Sequence, residues 1–142
     1  MIVRGRFRDG VPYFGAWISF AGMERFVWLL ADTGAARSTL LDHDVRRLQI
    51  PAALLIRAEQ PMAGIGGSVP AFIFRDARIS LESDEDDVAF PLDLLVACHD
   101  LQNLPPAAAE RILKLPSVMG RDILNRFRFV YEHATGTVLL EG

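Results

Sequence analysis

The chain has 142 residues, enough for one domain with a buried core, and its 51% hydrophobic and 23% charged content is that of a folded globular protein. The net charge of −3 provides no basic surface for nucleic acid or anionic lipid. Cys98 is the single cysteine, which excludes an internal disulfide and with it a disulfide-stapled secreted scaffold.

Met1 to Arg8 alternates apolar and polar residues and lacks the apolar centre and small-residue cleavage site of a signal peptide. No apolar run reaches membrane-spanning length, because Asp32 interrupts the best candidate. These features set the expectation of a soluble, cytoplasmic protein. Ile2 to Arg8 reads as a strand by its period of two. Asp9-Gly10 is a hairpin turn signal, and Val11 to Phe20 resumes as a strand of aromatic and β-branched residues. Ala21-Gly22 turns the chain again, and Glu24 to Ala31 makes a third strand that ends at Asp32. The opening third is therefore antiparallel β.

The apolar run Trp28-Leu29-Leu30-Ala31 delivers one carboxylate, Asp32, into a Thr33-Gly34 turn. The chain then leaves through Ala35, Ala36 and Arg37 into a second apolar segment, Ser38 to Leu41. Asp-Thr-Gly by itself is a common turn, in which Asp bonds its own backbone and Gly supplies a positive φ. A carboxylate with buried-type sequence on both shoulders is costly to ionise unless something pairs with it. A working carboxylate held on a rigid base is thus the second reading.

Asp42 is placed to cap a short helix over His43 to Leu48, with Pro51 at or beyond its end. His43, among Asp42, Asp44, Arg46 and Arg47, reads as part of a solvated face. Leu54 to Met62 and Val69 to Leu81 read as two strands joined by a glycine-rich tip, Ala63 to Ser68. Such a tip can bring backbone close to a ligand. No lysine or helix pattern follows it, so a nucleotide loop is set aside. The acidic run Ser83 to Asp87 lacks the ligand alternation of a calcium loop.

Val88 to Cys98 is a long apolar strand with Cys98 as a core cysteine at its end. Adjacent Cys98, His99 and Asp100 cannot converge on a metal as spaced ligands do, so no metal or cofactor is expected. Pro105-Pro106 followed by alanines opens a short helix. Val118-Met119 then runs into Gly120-Arg121-Asp122 and a helix with Ile123, Leu124 and Phe127 on one face. Phe127 to Glu132 and Thr137 to Glu141 close the chain as a hairpin. Repeats, linkers and low-complexity tracts are absent, so residues 1–142 read as one domain.

Three stretches occur in order: Asp32-Thr33-Gly34-Ala35 after an apolar strand, the glycine-rich tip at Gly64 to Gly67, and Val118-Met119-Gly120-Arg121-Asp122 before a short helix. Together they resemble the retropepsin-like aspartic proteases, the single-lobe family that includes the retroviral proteases and their bacterial and cellular relatives. The resemblance implies a mainly β, closed β-barrel with two or three short helices, forming a homodimer in which each chain supplies half of an active site. It implies an aspartic endopeptidase acting on an extended peptide or protein substrate, with Asp32 catalytic. Thr33 and Gly34 would support the active site, Thr33 by bonding across the dimer axis. Gly34, Ala35, Ile65, Gly66 and Gly67 would contact substrate, the last three as a flap tip. Gly120 and Arg121 would be structural. Leu30, Ile65 and Val118 suggest apolar side chains beside the cut bond.

Two departures stand out. Retroviral members carry an acid where Ala36 stands, which pairs with an arginine like Arg121, so Arg121 needs another partner, such as Asp122 or an acid elsewhere. The segment His99 to Pro116 is also longer than in the compact viral enzymes. The terminal strands, Met1 to Arg8 and Val138 to Gly142, are candidates for a dimer sheet. Two alternatives compete with the endopeptidase: a dimerising or peptide-binding module of the same fold with little or no proteolysis, and an unrelated small β-barrel whose Asp32 sits in a plain turn.

Overall fold

The computed structural model describes residues 1–64 and 67–142. In chain order these form β1 (Ile2–Arg4), β2 (Arg6–Arg8), β3 (Val11–Phe20), β4 (Met23–Ala31), β5 (Thr39–Leu40) and α1 (Asp42–Leu48). There follow β6 (Leu55–Arg57), β7 (Met62–Gly64), β8 (Gly67–Val69), β9 (Ala71–Leu81), β10 (Val88–Ala97) and α2 (Pro106–Leu113). The chain closes with β11 (Val118–Met119), α3 (Arg121–Leu124), β12 (Arg128–Glu132) and β13 (Thr137–Glu141).

The first two hairpins follow from their turns. Asp9 and Gly10 have φ of 52° and 75°, and Ala21 and Gly22 have 48° and 76°. Two consecutive left-handed residues match the twist of paired strands, which holds β2 on β3 and β3 on β4. Alternation then sorts the side chains. Phe14, Ala16, Ile18 and Phe20 of β3 point inward with Val27 and Leu29 of β4, and β9 adds Ala77, Ile79 and Leu81. Leu48 of α1 and Ile123 of α3 complete the same core. Each such side chain contributes about 1.5–3 kcal/mol by leaving water.

The closed barrel expected from the resemblance is not formed. Eight strands run β2-β3-β4-β11-β5-β10-β9-β6, with β2 and β6 at the ends of the order. β3 also meets β9, over Trp17–Ser19 opposite Arg78–Ser80, which folds the sheet back on itself without making it a barrel. A separate three-stranded sheet, β1-β13-β12, and a two-stranded hairpin, β7-β8, stand apart from it. The physical reason is that β2 and β6, at the two ends of the order, do not pair with each other, and the β3–β9 contact covers three residues of strands ten and eleven residues long.

Two expected strands are also broken. Ile2 to Arg8 divides at Gly5, whose N–H bonds Val138 O at 2.8 Å and whose added Cβ would lie 2.7 Å from Tyr13 O. Only glycine allows the chain to cross there from one sheet to the other. Leu54 to Met62 divides into a 3₁₀ turn over Ala52–Leu54, then β6, then β7. Pro61 and Pro70 bracket the β7-β8 hairpin, and neither can donate to a ladder. Among the described residues no helix is long and apolar enough to cross a membrane.

Candidate active site

Asp32 follows the last residue of β4 and is held by main-chain bonds on two sides. β4 and β11 run parallel with Leu30 opposite Val118 and Ala31 opposite Met119. Leu30 N donates to Ser117 O at 2.9 Å and Asp32 N to Met119 O at 3.0 Å, so the ladder extends to the acid itself. The chain then leaves β4, passes over the end of β11 and returns as β5 on its other edge. Residues 32–38 are therefore a loop laid across three strands rather than a hairpin turn.

The loop is tied within itself and to what lies beneath. Gly34 N donates to Asp32 Oδ1 at 2.9 Å, and Ala35 N to Asp32 O at 3.2 Å, which orients the carboxylate from its own turn. Arg121 N donates to Ala35 O at 2.9 Å and Arg121 Nη1 to Thr33 O at 2.9 Å. At the far end Ser38 is fully buried, and its N–H and Oγ both donate to the Asp122 carboxylate, at 2.9 Å and 2.7 Å. Gly120 N in turn donates to Ser38 Oγ at 2.9 Å. A hydroxyl that both donates and accepts in a dry place is a rigid link.

Several expectations take a definite place. Asp32 is half-buried, while Thr33 and Gly34 are exposed at the loop crest. A Cβ added to Gly34 would meet only Asp32 Oδ1, at 3.2 Å. Gly120 is different: its added Cβ would lie 2.6 Å from the Arg37 carbonyl carbon, 2.8 Å from its oxygen and 2.9 Å from Ser38 N. The glycine is there because the loop backbone rests directly on it. Ile65 and Gly66 lie outside the described residues, and Gly67 opens β8 opposite Gly64. Arg121 engages the Thr33 carbonyl, where the resemblance implied an acid as its partner, while Asp122 is engaged by Ser38.

Beside the loop lies a cleft of about 540 Å³. It is lined by Ala35 and Ala36 of the loop, Leu30 of β4, Val118 of β11, and Met62 and Val69 of the β7-β8 hairpin. Its far wall is made by Leu95, Ala97, His99 and Leu115, so the long His99 to Pro116 segment supplies part of it. Arg37 also lines it, with Nη2 donating to Asp93 O at 3.2 Å. Among the described residues no group of three or more His, Cys, Asp and Glu stands where it could hold a metal ion.

The sequence reading missed the two acids of α1. Asp42 does not cap its helix and is not solvated: it is 3% exposed and accepts from His99 N at 2.7 Å, with His99 Nδ1 at 2.6 Å from its other oxygen. Asp44 is buried as well, accepting from Ser117 Oγ at 2.6 Å, while Leu41 N donates to that same Oγ at 2.9 Å. His43 between them is exposed, as expected. The partners lie 57 and 73 residues away in the chain, and an acid at a helix start looks the same whether it caps or reaches across. Cys98 is half-buried rather than core. Burial raises its thiol above the ordinary value, the Asp42 carboxylate adds to this, and Arg46 opposes it.

No protein-family model matches the chain, and no curated protein matches it. Solved structures do. A retropepsin-like aspartic protease from Rickettsia conorii is 20% identical with a TM-score of 0.55, the match covering 99% of this chain and 88% of that one. EIAV protease in complex with the inhibitor HBY-793 is 21% identical with a TM-score of 0.50, covering 83% and 88%. The chain has the retropepsin-like fold.

Proposed function

We propose that the protein is a homodimeric aspartic endopeptidase whose active site is completed when Asp32 of two copies meet across a twofold axis. The observation that carries this reading is the loop at residues 32–38. It fixes a half-buried carboxylate from its own turn, and its Ala35, Ala36 and Arg37 line an apolar cleft, on a fold shared with aspartic proteases. One chain provides one such carboxylate, so a lone copy holds half of the chemistry. An isologous contact supplies the other half without any new sequence.

In the proposed mechanism two carboxylates a few ångströms apart hold one proton between them, because both cannot ionise cheaply. The ionised member takes a proton from a bound water, and that water attacks the peptide carbonyl. The other member donates its proton to the carbonyl oxygen as the tetrahedral intermediate forms. Water is the nucleophile, and the reaction calls for no metal or cofactor. Gly34 and Ala35 would contact the substrate backbone, and Ile65, Gly66 and Gly67 would cover it as a flap tip. Thr33 would stiffen the paired loops across the axis.

The alternative is a peptide-binding or dimerising module with little proteolysis. Its specific support is Ala36: the acid that would pair with Arg121 is gone, and the arginine is spent on a carbonyl instead. The deciding experiment is digestion of a mixed peptide library from acid to neutral pH by wild type and Asp32→Asn. The variant keeps an Oδ1 to accept from Gly34 N, so the loop is retained. Cleavage lost in the variant supports the endopeptidase. No cleavage by a folded wild-type dimer favours the binding module, and equal cleavage by both removes Asp32 from the chemistry.

A further inference from the structure

The cleft wall contains a side-chain pair that the proposed reaction does not use. His99 lines the cleft, and its imidazole is held from behind by Asp42. The carboxylate accepts from both the His99 N–H and the ring Nδ1, at 2.7 Å and 2.6 Å. Asp42 is almost fully buried, and the His99 side chain is 16% exposed. A carboxylate so placed keeps the proton on Nδ1 and sets the plane of the ring, which leaves Nε2 as the variable position. Among the described residues no partner takes Nε2, and His99 is part of the cleft lining. The surroundings are apolar: Leu95, Ala97, Leu115 and Pro116 line the same wall.

We propose that the Asp42–His99 pair is a specificity determinant that selects substrates with a primary-amide side chain, glutamine or asparagine, in this part of the cleft. This rests on the cleft being the peptide site. Nε2 accepts when the ring is neutral and donates when it is protonated. A primary amide can do the complementary thing in either state, offering an N–H to one form and a C=O to the other. A carboxylate matches the protonated ring alone, and a leucine matches neither and leaves Nε2 unpaired once water is expelled. Selection by a hydrogen bond in an apolar pocket is sharper than selection by one methylene, because the unmatched polar group carries the cost.

The test uses the full-length protein and peptide series that place Leu, Gln or Glu in turn at each position around the cleaved bond, with wild type, His99→Phe and His99→Gln. The proposal expects one position at which wild type favours Gln over Leu in kcat/KM, with the preference falling about fivefold in His99→Phe and partly kept in His99→Gln. The preference should persist from about pH 5 to about pH 8, and the ring ¹⁵N shifts should place the neutral-form proton on Nδ1. Unchanged selectivity in both folded variants overturns the proposal while leaving the endopeptidase standing. A neutral-form proton on Nε2 overturns the part assigned to Asp42, because the carboxylate would then not be holding the proton on Nδ1. Absence of cleavage of every peptide by folded wild type overturns the endopeptidase, and the proposal with it.

Discussion

Replacing Gly120 by alanine tests whether the loop that carries Asp32 is held by close backbone contact. The new Cβ would sit 2.6 Å from the Arg37 carbonyl carbon, 2.8 Å from the Arg37 oxygen and 2.9 Å from Ser38 N. All three are main-chain atoms, so no side chain can swing away, and either the loop lifts or β11 sinks. Lifting the loop stretches the bond from Gly120 N to Ser38 Oγ and the one from Arg121 N to Ala35 O. Overpacking of this kind costs about 3 kcal/mol when the neighbours are backbone. With an unfolding entropy of about 2.1 cal/mol/K per residue, that lowers Tm by about 10 °C for a chain of this length. Thermal unfolding by circular dichroism at fixed protein concentration reads the shift, since association would move Tm by itself. Gly34→Ala is the control. Its Cβ would meet only Asp32 Oδ1, at 3.2 Å, and should cost no more than about 1 kcal/mol. A Gly120→Ala protein melting within about 2 °C of wild type would refute the reasoning, because the contact would then be relieved without loss.

Two further outcomes follow from the same geometry. Asp122→Ala removes the acceptor for both the N–H and the hydroxyl of the buried Ser38, and should cost about 3 kcal/mol, read as a fall in the urea midpoint at unchanged slope. Cys98 should alkylate slowly with iodoacetamide near neutral pH. Burial, with Asp42 beside it, disfavours the reactive thiolate, so the midpoint of the folded protein's rate–pH profile should lie above the 9.0 of an ordinary cysteine. Fast labelling at pH 7 would show the thiol to be activated instead.

The sequence by itself determined those features whose cause is local. Asp9-Gly10 and Ala21-Gly22 were legible as turns and Val11 to Phe20 as a strand of aromatic and β-branched residues, so the first hairpins were readable without any partner. The run Leu29 to Gly34 likewise announced an acid at the end of an apolar strand. The tertiary structure decided what depends on partners distant along the chain. Whether Asp42 caps a helix or grips His99 is invisible locally, since both use the same residue at the same place. The length of β5 and β11 was also decided by packing. A two-residue strand leaves no periodicity to read, and the sheet order ends at β2 and β6 where a barrel was expected. Arg121 found a carbonyl in place of an acid for the same reason. The loop above it is fixed by Gly120 and Asp122, which set the distance at which a guanidinium can bond.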